Sequence, residues 1–353
     1  MKTAAIYPIT SHNKYLLKAL NGRFRDYQIT TAIIPNAFSN NIVTSDYFVR
    51  HKIEDIIGTV DAVIVINSWD SSRMYNEIIK VLSKGIDVIT TIAFKKDEIN
   101  FLSQIANENA TTIKTAYDSH IMQLLNERDD VYSQPESIVI CISTITKGIA
   151  TSGLTLSLAH LFEQSGYAVG IISTDSDLQL VDICEWLPIN DMISDNLDRC
   201  IMRINSFINL FQIVNKPDIL ILQLPDEGLY RMTYDFVSCF GAKTFLISQA
   251  VDFDYGIVLS PIIDSDPMLY KQLSDVSKSR FGFEYNSVCL VPKTVNLDIA
   301  QGEEIVKYYT ASFDDLKNTV ATLQQGIEKD INFLSIQENP DVCIRQHIVN
   351  CLS

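Results

Sequence analysis

The sequence predicts an α/β chain of two three-layer domains, each a parallel sheet between helices. Three observations predict it. Near-continuous apolar runs recur, such as DAVIVINSW at 61–69 and SIVICIST at 137–144, the pattern of strands covered on both faces. Amphipathic segments of helical length separate these runs, so successive strands are joined by crossovers and run parallel. The chain has 353 residues, more than one hydrophobic core usually serves, and NERDDVYSQPE at 126–136 is polar, charged and proline-bearing, as a linker should be. The expected domains are therefore 1–126 and 137–331, with 332–353 as a C-terminal tail, helical or extended.

In the first domain, TAAIYP reads as a strand, NKYLLKALN as a short helix and YQITTAIIP as a strand closed by Pro35. TSDYFVRHKIEDII is expected to be a helix capped by Thr44 or Ser45. DAVIVINSW is a strand, SSRMYNEIIKVLSKG a helix leaving at Gly85, IDVITT a strand, DEINFLSQIANE a helix and ATTIKT a last strand. In the second domain the expected strands are SIVICIST, YAVGIIST, PDILILQLP, AKTFLISQA and YNSVCLVP. Its helices are TSGLTLSLAHLFEQSG, DNLDRCIMRINSFINLFQIVN, EGLYRMTYDFVSCFG, DPMLYKQLSDVSKSRFG and SFDDLKNTVATLQQGIEKDI. No solenoid period and no low-complexity segment interrupts the series.

Composition narrows the function. A formal charge of -15 argues against nucleic acid or an anionic membrane as partner, because both need clustered Lys and Arg. No run of about 18 apolar residues exists, and the first twenty residues lack a signal peptide's apolar core. The seven cysteines form no CxxC pair, which suits reduced, mostly buried thiols of a cytoplasmic protein. The five histidines form no HxxxH or HExxH, so no zinc site is expected.

The most telling stretch runs from Ser137 to Asp177: a buried strand, a glycine-bearing loop, a helix from about Thr151, a second strand and an acidic loop. A strand–loop–helix unit binds phosphate when loop amides and a helix N-terminus converge on it, a Lys neutralises charge and a Ser or Thr holds Mg²⁺. The segment ITKGIATSGLTLSLAHLFEQSGYAVGIISTD resembles the MinD/nitrogenase-iron-protein class of P-loop NTPases, as a degenerate member. Registration from Gly166 places Ala150 at the glycine before the P-loop lysine, Thr151 at that lysine and Ser152 at the Mg²⁺ hydroxyl. Lys147 falls one residue after the class's signature lysine, and Asp175 falls on its acidic loop. PDILILQLPDEG resembles the class's later acidic segment. Asp218, Pro225 and Gly228 match it, while Gln223 stands where the metal-linked Asp is expected. The resemblance covers most of 137–300 and implies a Rossmann-like, three-layer second domain of P-loop NTPase type. It fails at the lysine and at the second-shell aspartate, and phosphoryl transfer depends on such placed charges. Three readings of 146–153 follow: a plain strand-to-helix connection with Thr151 or Ser152 as N-cap, an anion site without turnover, and a working NTPase with Lys147 as the substitute lysine.

The first domain resembles the NAD-type Rossmann half, through DAVIVINSW and the helix after it. Its first turn, YPITSHNK, holds no glycine, and the dinucleotide fingerprint needs glycine to admit the pyrophosphate. A Rossmann-like scaffold is the expectation. Trp69 and Asp70 follow a strand at the carboxyl edge where α/β sheets place ligands, and His12 lies in the first such loop. Asp175 and Asp177 either share a cation or cap a turn. His160 reads as packing beside Leu156, and Lys271, Lys278 and Arg280 as a solvated face. If the two domains face each other, the strand-end loops line one cleft with Asp70, Asp175, Asp177, Asp226 and Glu227.

The whole layout resembles the two-domain peptide maturation system proteins of clostridial natural-product clusters. AIYPIT, DAVIVINSWDS…MYNEIIKVLSKGIDVI and KGIATSGLTLSLAHLFEQSGY carry this likeness. It implies a biosynthetic or accessory setting and no catalytic residues. Two functions are therefore expected. One is a non-hydrolysing accessory protein that binds a precursor peptide or a maturation enzyme through a pseudo-NTPase scaffold. The other is a nucleotide-dependent enzyme or ATPase that takes ATP through Lys147, Gly148, Thr151 and Ser152, with Asp175 on Mg²⁺. A homodimer is compatible with both.

Overall fold

A computed structural model describes residues 1–10, 13–37, 46–67, 71–115, 120–126, 132–227, 241–263, 266–295, 307–326 and 331–352. The chain is α/β, and its two sheets are dominated by parallel pairs. It divides into two compact units, Met1–Ser119 with Ser176–Trp186, and His120–Asp175 with Leu187–Ser353.

The first unit begins with β1 (Lys2–Tyr7), α1 (Tyr15–Leu20), β2 (Arg23–Phe24), β3 (Tyr27–Ile33) and β4 (Phe48–Arg50). It continues with β5 (Ala62–Val65), α2 (Ser71–Leu82), β6 (Asp87–Thr90), α3 (Lys96–Glu108) and β7 (Ile113–Thr115). The parallel strands run β4-β3-β1-β5-β6-β7, with β2 antiparallel to β3. This is the doubly wound Rossmann order, 3-2-1-4-5-6 when the parallel strands are counted along the chain. Ala62–Val65 is buried at every residue, as a strand between two helical layers must be. Its core gathers Ala5, Val63, Val65, Ile78 and Leu82 against Leu102.

One expectation here is corrected. The stretch from 46 to 57 is not helical: Phe48–Arg50 forms β4 and Ile53–Ile56 a 3-10 turn. Pairing decides it. Phe48, Val49 and Arg50 register against Thr31, Ala32 and Ile33. Tyr47 anchors the approach by donating to the Leu17 carbonyl at 2.5 Å and accepting from the Gly22 amide at 2.9 Å. Tertiary hydrogen bonding has overridden a weak local preference.

The second unit carries α4 (His120–Asn126), β8 (Ile138–Thr144), α5 (Ser152–Gln164) and β9 (Val169–Ser173). After β10 (Cys184–Trp186), which groups with the first unit, come α6 (Ile189–Met192), α7 (Leu197–Asn215) and β11 (Ile219–Gln223). Next are α8 (Ala242–Ala250), β12 (Tyr255–Ile262), α9 (Pro267–Phe281) and β13 (Ser287–Val295). The chain ends with β14 (Tyr308–Thr310), α10 (Phe313–Gly326), β15 (Asn332–Ser335) and α11 (Pro340–Leu352). Parallel strands run β9-β11-β8-β12-β13. Beyond β13 lie β15, parallel, and β14, antiparallel. Residues 332–352 therefore supply a strand and a helix to this unit.

A second correction concerns AKTFLISQA, expected as a strand. It forms α8, and the missing strand is β12. A short apolar run cannot be told from a buried helix by period alone. Here α8 packs on α7, and Leu246, Ile247 and Ala250 belong to the same core cluster as Phe207 and Phe211. The helix expected at 227–241 falls almost wholly outside the described residues. Helix ends follow sequence signals well: Asn196 accepts from the Arg199 amide at 2.9 Å, and Asp266, before Pro267, accepts from the Met268 amide at 2.9 Å.

Cys141, Cys184, Cys200 and Cys289 are buried free thiols and Cys343 is exposed. Burial pushes the Cys141 and Cys289 thiols far above their ordinary range. Among the described residues no helix is long and apolar enough to cross a membrane.

Candidate functional site

Strand order brings the loop after β8 beside the ends of β11 and β9. Gln223, the last residue of β11, pairs with Ile142 on one side and Ser173 on the other. Its side chain joins three elements. Nε2 donates to Thr151 Oγ1 at 2.6 Å and to Ser152 Oγ at 2.9 Å, while Oε1 accepts from Ser173 Oγ at 2.9 Å. Ser152 Oγ donates onward to Asp175 Oδ2 at 2.7 Å, and the Asp175 amide returns to Ser173 Oγ at 2.8 Å. Thr151, Ser152, Ser173 and Gln223 are all buried. A buried polar network whose members satisfy one another is rigid, and costly to break in part.

Thr151 occupies the position before α5, yet its side chain makes no capping bond. The expectation that Thr151 or Ser152 caps its own helix is thereby corrected: both hydroxyls turn to Gln223. The Thr151 carbonyl accepts from the Thr155 amide at 3.1 Å, which starts the helix from the backbone. Two neighbouring hydroxyls, Ser143 Oγ and Thr144 Oγ1, are buried with no hydrogen-bond partner.

A second cluster holds the loop at Gly148. The Gly148 amide donates to both oxygens of Asp226, at 2.9 and 3.0 Å. The Gly148 carbonyl accepts from Lys293 Nζ at 3.2 Å, and that ammonium stands 5.0 Å from the centre of the Tyr308 ring. The Tyr308 hydroxyl donates to Thr146 Oγ1 at 2.8 Å and to the Lys147 carbonyl. Gly148 has φ of 85°, a left-handed conformation that favours glycine. Burial lowers the Lys293 pKa below its usual range, opposed by the nearby Asp226 charge. Burial raises the Tyr308 hydroxyl above its ordinary value.

Among the residues singled out from sequence, Thr151, Ser152 and Asp175 come together around Gln223, and Gly148 joins the Asp226 cluster. Lys147 contributes its carbonyl to Tyr308, and its side chain is exposed. Asp175 and Asp177 do not converge. Asp177 is buried in the first unit, where its Oδ1 accepts from the Asn67 amide at 2.7 Å and from Thr91 Oγ1 at 2.5 Å. Asp218 accepts from the Ala168 amide at 2.8 Å, a structural task. His160 is exposed and hydrogen-bonds to Gln164, which corrects its assignment to packing. Lys278 pairs with exposed Glu284. His12, Trp69, Asp70 and Gly228 lie outside the described residues. Lys293 and Tyr308 escaped the sequence reading, because they lie 145 and 161 residues from their loop partners.

In the first unit, Asn13 fills the first strand–helix turn. Its Oδ1 accepts from the Thr10 amide at 2.7 Å, and its Nδ2 donates to the Pro8 carbonyl at 3.1 Å.

Comparison with known proteins gives a likeness of fold. No family model matches the chain, and no curated protein matches it in sequence. Among solved structures, a DUF1611 family protein from Anabaena variabilis is similar with a TM-score of 0.64 at 9% identity, covering 99% of this chain and 100% of that one. This α/β architecture is shared along the whole chain. Homoserine dehydrogenase from S. aureus matches over 57% of this chain and 48% of its own, at 12% identity and a TM-score of 0.28, too low to carry an argument.

Proposed function

We propose that this chain is a non-hydrolysing accessory protein of ribosomal peptide natural-product maturation. Its second unit keeps a P-loop-type scaffold, and its own side chains close the loop. The observation that carries this reading is Gln223, whose amide donates to Thr151 and Ser152 where the class places a metal-linked carboxylate. A primary amide in that position supplies no negative charge to Mg²⁺. Thr151, at the lysine position, supplies no ammonium to a phosphate. These residues do not fit a hydrolysing ATP–Mg²⁺ site, because phosphoryl transfer depends on the placed charges that they lack. The setting and the partner, a precursor peptide or a maturation enzyme, come from the sequence resemblance.

A second reading, a nucleotide-dependent enzyme, draws support from one contact. Ser152 and Asp175 stand 2.7 Å apart, a hydroxyl–carboxylate pair of the kind that attends Mg²⁺ in P-loop enzymes. Phosphate release from ATP–Mg²⁺ separates the two. The accessory reading expects no turnover above buffer in the wild type. Turnover that disappears in Lys147→Ala and Asp175→Asn would favour the enzyme. The peptide assignment is tested by titrating a labelled precursor peptide into the full chain, with saturable binding expected in the absence of nucleotide. No binding of either a precursor peptide or a maturation enzyme would remove it.

A further inference from the structure

We draw no further inference here: the strongest candidate, the surface patch at the junction of α6 and α7 where exposed Ile193 and Leu197 alternate with exposed Asp191, Asp195 and Asp198, is an acidic cluster at a helix N-terminus, and nothing in the structure shows what covers it.

Discussion

Gln223 donates its side-chain amide to Thr151 across 72 residues of sequence, 2.6 Å from Nε2 to Oγ1. The contact joins the end of β11 to the start of α5. It exists because β11 and β8 are neighbours in the sheet. With Ser152, Ser173 and Asp175 it turns a potential ligand site into a satisfied polar core. The same atoms cannot serve this network and a metal ion at once.

Removing the hub tests that network. Gln223→Leu keeps a similar volume but strands the Thr151 hydroxyl and removes one partner each from Ser152 and Ser173, and each buried group left unsatisfied costs about 1–3 kcal/mol. Ser152 retains Asp175 Oδ2 and Ser173 retains the Asp175 amide, so the expected total is that of about one stranded group. Urea unfolding should show a loss of about 1 kcal/mol or more with an unchanged m-value. A loss within about 0.5 kcal/mol, as for an ordinary surface change, would mean that water or relaxation satisfies these hydroxyls and that the network is not what holds the loop.

The C-terminal helix brings a pH dependence. His347 of α11 hydrogen-bonds through Nδ1 to the hydroxyl of buried Tyr255, which also meets Ser287 Oγ at 2.8 Å. Burial lowers the His347 pKa from 6.5. The unfolded chain therefore binds this proton more readily, so stability rises with pH through the window below 6.5 and falls as pH drops there. Unfolding measured between pH 7.5 and about 5 should show this slope in the wild type and a smaller one in His347→Phe. Equal slopes would contradict the role of His347.

Much of the fold was legible because apolar runs and caps are local signals. Ala62–Val65 and Ile138–Thr144 read as buried strands from composition alone, and Asp266–Pro267 announced α9. What failed was decided by distant partners. Phe48–Arg50 became a strand because β3 offered an edge, and AKTFLISQA became a helix because α7 offered a face. At the site, the spacing from Gly166 picked out Thr151, Ser152 and Asp175, which do meet around Gln223. The Gly148 cluster was half hidden, since no sequence spacing links a glycine at 148 to Lys293 and Tyr308. Asp177 lies two residues from Asp175 in sequence, but it belongs to the first unit, where its buried carboxylate accepts from Asn67 and Thr91.

The central claim is that the loop after β8 is closed by its own side chains and takes no ATP–Mg²⁺. The melting temperature of the wild-type chain with and without that ligand tests it most directly. A ligand present at about 100 times its dissociation constant adds about 2.7 kcal/mol, which moves the melting temperature of a chain this size by several degrees. The closed loop predicts no shift up to millimolar ATP–Mg²⁺. A dose-dependent rise of several degrees, lost in Asp175→Asn, would contradict it.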